Sequence, residues 1–522
     1  MKNLIVCCDG TWNTPGMVRD GVCAPTNVTK FYQALEKNDE QIAEYFPGVG
    51  TEGGFIEKKL GGMIGKGLED YIKQAYEWLG LNYEDGDKIF LIGFSRGAFT
   101  ARSLAGMIST AGLLDLSHLK ASKHQYLRSE RVDEAYADGY KDNGCSYQNT
   151  DWARNYNFLI PKKTPKAIHF VGVWDTVGAL GIPDDLGLLN MLDDDDKWGF
   201  HDTNLGAGIT NARHAVAIDE MRASFTATLW TDVDSDSRVK QVWFPGGHSD
   251  IGGGNAQSGL ANAALKWMVD EAGKFGLTFQ DHLVNSHKPD AADAMHHEVH
   301  GIWDKLRTRP RNIPEPIVRE QATVFHNSVF QRQSTSESTS DPYRPTHLIK
   351  IDEQTPWVHV YAETKWNNTG IYLEKGTYEF EAKGRWQDQD RECDPDGPIR
   401  KKFSAGYLIA NTIGRLENGY KRISGQDQTN FLFSKRFEDA KFFCLIGAIA
   451  NDGRKSVFEN GKIKGRNPGN DGSPYPHEQF KIGSAATYVV ERPGYLYCYA
   501  NDVLQKYGNN NGHVKMRVKR IG

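Results

Sequence analysis

The chain has 522 residues, 39% of them hydrophobic and 25% charged, with a formal net charge of −5. That length exceeds the size at which one core keeps growing, so at least two domains are expected, and the mixed-charge composition is that of a soluble globular protein with no basic excess for nucleic acid. The seven scattered cysteines lack the spacing of a zinc site or a disulfide framework, and the apolar run Leu4–Cys8 is too short for a signal-peptide core or a membrane span, so synthesis in the cytoplasm is expected.

In chain order, Leu4–Cys8 is a continuous apolar run, the pattern of a parallel strand covered on both faces. Leu68, Tyr71, Ile72, Ala75, Trp78 and Leu79 recur at helical spacing and predict an amphipathic helix, which leads through Glu84-Asp85-Gly86-Asp87 into a strand at Lys88–Ile92. From about 116 to 163 the sequence turns polar and aromatic and reads as an inserted cap. A strand is expected at Ala167–Trp174, a helix at Asn211–Phe225, a strand at Val239–Phe244 and a helix at Leu260–Val269. The acidic run Asp193–Asp196 and the Ser/Thr-rich stretch Gln333–Ser340 read as exposed loops. After about 346, short segments rich in Tyr, Phe, Val and Ile (Thr377–Ala382, Phe442–Ile449, Tyr495–Ala500, Val514–Val518) alternate with Gly, Asn and Asp, which predicts an all-β sandwich.

Candidate chemistry concentrates in Gly93-Phe94-Ser95-Arg96-Gly97, between the predicted strand Lys88–Ile92 and a helix starting near Ala98. A nucleophile elbow needs that strand, turn and helix, because the serine occupies a strained turn and flanking glycines let backbones pass closely. Ser95 is therefore the candidate nucleophile. It needs a base and an acid that orients the base, in the chain order serine, acid, histidine. Asp175 ends a buried strand, where open α/β sheets gather catalytic groups, and His248 follows the next clear strand on the loop Phe244-Pro245-Gly246-Gly247-His248. His326 is the rival base and Asp250 the rival acid, and Asp175 has a helix cap as its bland reading. An oxyanion hole would use the backbone N–H of Arg96 and a second from Asp9-Gly10-Thr11-Trp12-Asn13, with Gly10 as its candidate. His214 and Arg222, on the predicted helix 211–225, read as structural. The resulting fold class is α/β: an α/β-hydrolase domain over 1–350, with its cap, followed by a β-sandwich over 351–522.

Together, Cys8-Asp9-Gly10-Thr11-Trp12-Asn13, Gly93-Phe94-Ser95-Arg96-Gly97-Ala98, Val173-Trp174-Asp175-Thr176-Val177, the segment Phe244–Gly254, His326-Asn327-Ser328-Val329 and Tyr343-Arg344-Pro345 resemble the α/β-hydrolase domain of the lipase effectors of bacterial type VI secretion. The resemblance spans about 1 to 350. It implies phospholipase A-type hydrolysis of membrane phospholipid esters without a catalytic cofactor. It also implies export into a neighbouring cell without a signal peptide, with secretion machinery and an immunity protein as partners.

A second resemblance lies in Tyr499-Ala500-Asn501-Asp502-Val503 and Tyr507-Gly508-Asn509-Asn510-Asn511-Gly512, which are similar to the calcium loop of the PA-I-type galactophilic lectins. It implies a Ca²⁺ held by Asp502, Asn509, Asn510 and the Lys506 carbonyl, oxygen donors of the kind calcium takes, and a galactose-type carbohydrate or a membrane surface as target. Cys393 or a neighbour stands where those lectins carry a sugar-contacting histidine, and an Asn-rich hairpin turn is the alternative for the loop. A lectin-like domain that only delivers the hydrolase would leave turnover of a soluble ester unchanged when deleted. The competing functions are a carboxylesterase or deacylase acting on acylated glycans, and a calcium-dependent carbohydrate-binding protein with an inactive hydrolase scaffold.

Overall fold

The computed structural model describes residues 1–11, 13–48, 62–141, 152–178, 205–231, 236–297, 299, 308–320, 322–336, 342–399, 435–437, 439–451, 457–459, 462–464 and 477–522. The expected acidic loop Asp193–Asp196 lies outside them, as do residues 142–151 of the expected cap.

Six apolar segments pair as one parallel sheet: β1 (Asn3–Cys8), β2 (Gln41–Phe46), β3 (Lys88–Phe94), β4 (Phe170–Trp174), β5 (Ala212–Ala217) and β6 (Val239–Phe244), in the order β6-β5-β4-β3-β1-β2. Successive side chains of a strand point to opposite faces, and β1 shows the consequence. Leu4, Val6 and Cys8 join the core under helices α2 (Gly62–Asn82) and α3 (Arg96–Ala111), whereas Ile5 and Cys7 join the opposite core under α1 (Asn27–Ala34) and α6 (Gly259–Lys274). Between them, α4 (Gln125–Glu134) leans on α2 through Arg128–Glu77 at 2.6 Å and Lys73–Asp133 at 2.8 Å. The short α5 (His248–Gly252) follows β6.

Two expected elements differ. Asn211–Phe225 contains no α-helix: β5 occupies Ala212–Ala217, with all six side chains buried, followed by a single 3-10 turn at Ala223–Phe225. A strand covered on both faces loses its alternation and cannot be told from a buried helix by periodicity. The Ser/Thr-rich stretch begins inside a helix, Asn327–Ser336, where Ser334 Oγ and Thr335 Oγ1 donate back to the Phe330 and Gln331 carbonyls; residues 337–340 lie outside the described part.

From residue 347 the chain is β-rich. One sheet holds β7 (His347–Leu348), β9 (Asn367–Leu373), β13 (Leu445–Ala450), β14 (Glu478–Lys481) and β16 (Gly494–Ala500). The other, fully antiparallel, holds β8 (Val358–Tyr361), β10 (Gly376–Asp388), β11 (Arg391–Asp394), β12 (Gly397–Pro398), β15 (Ala485–Val490) and β17 (Asn510–Arg520). Val360, Phe380 and Val514 of the second sheet share a core with Ile371, Leu445 and Leu496 of the first.

The first sheet is covered on its outer face too. Tyr372, Ile446, Ala448, Tyr495, Tyr497 and Tyr499 pack in one cluster with Val216, Ile218 and Trp243 of the parallel-sheet part and with Ile313, Ile317 and Tyr343 between them. Among the described residues no helix is long and apolar enough to cross a membrane. The shared cluster makes a stability prediction: Ile446→Ala, at a fully buried position, should cost about 2–4 kcal/mol in thermal or chemical unfolding. A β-rich unit with a solvated outer face would show almost no loss.

Candidate functional site

The order of the parallel sheet reverses at β1 and β3, and the crevice beyond the carboxyl ends of such neighbouring strands is where open α/β sheets place ligands. Both loops singled out in the sequence, Asp9-Gly10-Thr11 after β1 and Ser95 after β3, leave the sheet at this point. The turn is tight. A Cβ on Gly97 would lie 2.2 Å from the Cys8 carbonyl oxygen, and one on Gly93 would lie 2.5 Å from the Gly97 oxygen, so glycine at both places lets α3 start against β1. Ser95 takes φ 57° and ψ −125°, an uncommon conformation for a residue with a side chain, and its N–H donates to the Trp174 carbonyl at 3.1 Å.

Ser95, His248 and Asp175 form a hydrogen-bonded row. His248 Nε2 lies 2.8 Å from Ser95 Oγ, and His248 Nδ1 lies 2.6 Å from Asp175 Oδ2. The imidazole packs against Phe94, with ring centroids 4.7 Å apart, and nearly perpendicular to Phe225, 5.0 Å away. Asp175, at φ 39°, has no exposed surface, and Ser95 and His248 are each 5% exposed. Besides His248, Asp175 accepts from the Ala217 N–H at 2.9 Å and from both terminal nitrogens of Arg311, Nη1 at 2.5 Å to Oδ1 and Nη2 at 2.9 Å to Oδ2. Burial alone would raise its pKa, but the Arg311 guanidinium and the bond to His248 hold the carboxyl well below the usual carboxylate range.

A second ion pair flanks the histidine. Glu220 receives Arg222 in a fork, Nε to Oε1 at 2.9 Å and Nη2 to Oε2 at 2.7 Å, while its Oε2 also accepts the His248 N–H at 3.3 Å. Arg222 stacks on Phe225, its guanidinium carbon 3.6 Å from the ring centroid. Neither Glu220 nor Arg311 was expected from the sequence. Arg311 meets Asp175 across 136 residues, and Glu220, though paired with Arg222 two residues on, reaches the His248 N–H across 28, so neither link to the row leaves a local pattern to read.

The remaining expected residues fall around this row in different roles. Asp250 faces His296 rather than His248: it accepts from His296 Nδ1 at 2.6 Å and from the Gly247 N–H at 2.9 Å, which ties down the loop bearing His248. His326 stacks on Phe244, centroids 4.4 Å apart, and its Nδ1 meets Ser328 Oγ at 2.9 Å; burial lowers its pKa to about 4. His214 lies on strand β5, not on a helix, where its Nε2 accepts the Thr176 N–H at 3.1 Å and burial first, then the charge of Arg102, lower its pKa to about 3. Arg96 opens α3, at a position where no earlier turn of the helix supplies a carbonyl for its N–H. The Gly10 N–H donates to its neighbour's carboxylate, Asp9 Oδ1, at 2.7 Å, and Asp9 Oδ2 in turn accepts from Thr26, Thr29 and Tyr45, so the loop is anchored beside Ser95. A Cβ on Gly10 would lie 3.2 Å from that of Ser95.

The calcium candidates cluster at one end of the β-rich part. Asn510 Nδ2 donates to Asp502 Oδ2 at 3.1 Å, Asn509 Nδ2 donates to Asp388 Oδ1 at 3.2 Å, and Lys506 sits in the 3-10 turn Leu504–Asn509. Asn509 Oδ1 and Asn510 Oδ1 are buried with no hydrogen-bond partner among the described residues, and burial pushes the Asp502 carboxyl up to about 6. Among the described residues no group of three or more His, Cys, Asp or Glu side chains is assembled for a metal, so a cation here would rest on Asp502 with amide and backbone oxygens.

Comparison with known proteins gives three kinds of likeness. An uncharacterized protein of Saccharomyces cerevisiae is 31% identical over 245 residues, covering 44% of this chain and only 33% of that protein's length. Among solved structures, an uncharacterized protein from Pseudomonas aeruginosa aligns at 18% identity with TM-score 0.34, over 55% of this chain and 49% of the other. The Tle1 effector bound to the VgrG spike of the type VI secretion system aligns at 16% identity with TM-score 0.28, over 49% and 51%. The EclA N-terminal domain, a PllA-like lectin, aligns at 15% identity with TM-score 0.18, over 32% of this chain and 97% of that one. The catalytic-domain model of the Tle1-like phospholipase effectors of type VI secretion matches residues 2–271, more than half of the chain, and the chain belongs to that family.

Proposed function

We propose that the chain is a serine esterase that cleaves phospholipid esters in the manner of a phospholipase A. The observation that carries this reading is the row Ser95 Oγ, His248 Nε2 and Nδ1, Asp175 Oδ2, with its two short hydrogen bonds, at the carboxyl ends of strands β3, β6 and β4 of one parallel sheet. In the first half-reaction Ser95 Oγ attacks the ester carbonyl carbon while His248 Nε2 takes the serine proton. Asp175 keeps Nδ1 protonated and steadies the imidazolium. The tetrahedral intermediate expels the alcohol, which leaves with the proton returned by His248, and an acyl-serine remains. Water then repeats the sequence, releasing the fatty acid and restoring Ser95. The oxyanion would be held by the Arg96 N–H and the Gly10-Thr11 turn; with the Gly10 N–H engaged by Asp9, the buried Thr11 hydroxyl, unpartnered among the described residues, would be a further donor for it.

The same reading assigns the α/β-hydrolase domain to 1–350, with a cap at about 116–163, and a lectin-like sandwich to 351–522. The sandwich would bring the enzyme to a galactose-type glycan or a membrane surface, with Ca²⁺ on Asp502, Asn509, Asn510 and the Lys506 carbonyl. The two unpartnered amide oxygens beside a desolvated carboxylate support the cation. As a family member the chain would pass to a target cell with a secretion spike as carrier and be countered by an immunity protein in its producer.

A fluorophosphonate should label Ser95, and Ser95→Ala and His248→Ala should each lower hydrolysis of phosphatidylcholine vesicles by about 10⁴- to 10⁶-fold, because triad members act as a unit. His326→Ala should cost far less; a ranking of His326 above His248 would make His326 the base. For the cation, millimolar CaCl₂ added after chelation should raise the unfolding temperature, a ligand at roughly 100 times its dissociation constant contributing about 2.7 kcal/mol. Asp502→Asn should abolish the increment, and an unchanged midpoint in the wild type would remove calcium from the assignment.

A further inference from the structure

The family chemistry accounts for Ser95, His248 and Asp175 but leaves unused the side chain most closely bound to Asp175. Arg311 is itself buried, and its two terminal nitrogens make four hydrogen bonds: two to the carboxylate oxygens of Asp175, one to the Ala217 carbonyl at 2.9 Å and one to the Phe225 carbonyl at 2.7 Å. The guanidinium thus fixes three things around His248 at once: Asp175, the end of β5 and the turn carrying Phe225, whose ring packs nearly perpendicular to the imidazole.

Arg311 does not belong to any helix or strand. It lies on an extended strap, residues 308–318, that runs between the parallel-sheet part and the β-rich part. One edge of the strap is held on the hydrolase side, where the Arg309 N–H donates to the Met221 carbonyl at 2.7 Å. The other edge is held from the β-rich side. Trp366 Nε1 donates to the Thr308 carbonyl at 2.9 Å, Tyr495 Oη accepts the Ile317 N–H at 2.7 Å, and Tyr372 Oη donates to the Pro314 carbonyl at 3.3 Å. Ile313 and Ile317 are buried in the cluster shared with Tyr495 and Tyr497. Among the described residues the strap's one β-bridge is Thr308 with Arg222, so its conformation rests on being gripped from both sides, and a guanidinium fork transmits that position because its two N–H pairs fit a carboxylate in one plane.

We propose that Arg311 is a positioning residue for the Ser95–His248–Asp175 row, and that Trp366 and Tyr495 of the β-rich part set its place, so that this part helps to build the active site as well as delivering it. The proposal rests on the serine-esterase reading. It makes Arg311 a residue that acts through Asp175: it touches no substrate and no reacting atom. It also predicts a direction for pH dependence. The charged and titratable groups facing the pair are Arg311 on the strap, Glu220 with Arg222 after β5, His214 on β5 and Ser95 on the β3 turn. Taking the guanidinium away removes a positive charge from beside the Asp175–His248 pair, so the pair takes up a proton more readily and the acid limb of the reaction moves to higher pH.

The test uses the full-length chain and two readouts: the rate of fluorophosphonate labelling at Ser95 as a function of pH, and kcat and KM on a soluble short-chain ester. Arg311→Met should slow labelling and lower kcat by roughly 10²-fold with KM little changed, as misplacement of a catalytic group does, and should move the acid limb upward. Arg311→Lys keeps the charge and loses the fork, so it should lower kcat while leaving the acid limb near its wild-type position. Trp366→Phe combined with Tyr495→Phe, remote from the reacting atoms, should reduce kcat several-fold in the same way. If all three variants keep the wild-type rate and pH profile and lose only thermal stability, the strap is structural and the proposal falls while the esterase reading stands. If the wild type is not labelled at Ser95, the esterase reading falls and takes the proposal with it.

Discussion

A carboxylate with no exposed surface is expensive to hold, and the neighbourhood of Asp175 is organised around that cost. Four hydrogen bonds converge on its two oxygens, from Ala217, His248 and both terminal nitrogens of Arg311. Burying an ion pair gives little net stability, because desolvation offsets the attraction, but leaving one partner alone is severely destabilising. The same holds for Arg222 and Glu220, whose carboxylate accepts the His248 N–H. The two pairs therefore make sense less as stabilisers than as fixtures: once the charges are buried, each partner has one place to be, and His248 is set between them.

Strain is concentrated in the same place. Ser95 and Asp175 both have positive φ without being glycine, at an expense of about 1–3 kcal/mol each. The surroundings over-determine both. Ser95 is squeezed by the start of α3 against β1, which glycines at 93 and 97 permit, and its N–H is tied to the strand that carries Asp175. Asp175 is tied to the next strand through the Ala217 N–H. Ser95 and Asp175 are thus connected through backbone as well as through His248, so a shift of β4 against β3 would disturb both together.

How much of this was legible in the sequence follows from the range of the interactions. The strand at 88–94, its glycine-flanked serine and the strands ending before Asp175 and His248 are written in contiguous residues, and the structure places those elements within a few residues of expectation. The segment 211–225 misled because β5 lies inside the sheet with both faces covered, so Ala212–Ala217 shows neither alternation nor helical period. Arg311, Glu220 and His296 were invisible for a different reason. Arg311 meets Asp175, His296 meets Asp250 and Glu220 meets the His248 N–H only through the fold, and a single arginine or glutamate in an irregular segment reads as ordinary surface charge.

One message about the β-rich part was present in the sequence as texture. Thr377–Ala382 alternates: Tyr378, Phe380 and Ala382 point into the sandwich core, while Glu379 is exposed and Glu381 half-buried. Tyr495–Ala500 does not alternate, and all of its side chains are buried. An antiparallel strand with one face in water should alternate, so a run such as Tyr-Leu-Tyr-Cys-Tyr-Ala requires a second cover. That cover is the parallel-sheet part together with the strap: Leu496 and Cys498 face the sandwich core, whereas Tyr495, Tyr497 and Tyr499 face Val216, Trp243 and Ile317. Tyrosine suits this position because its ring fills an apolar interface while its hydroxyl reaches a polar partner, as Tyr495 does with the Ile317 N–H and Tyr497 with Arg344. With that sheet committed to the parallel-sheet part, solvent meets the sandwich across the outer face of the other sheet, where Lys383, Arg385 and Lys515 are exposed, and at the loops between strands.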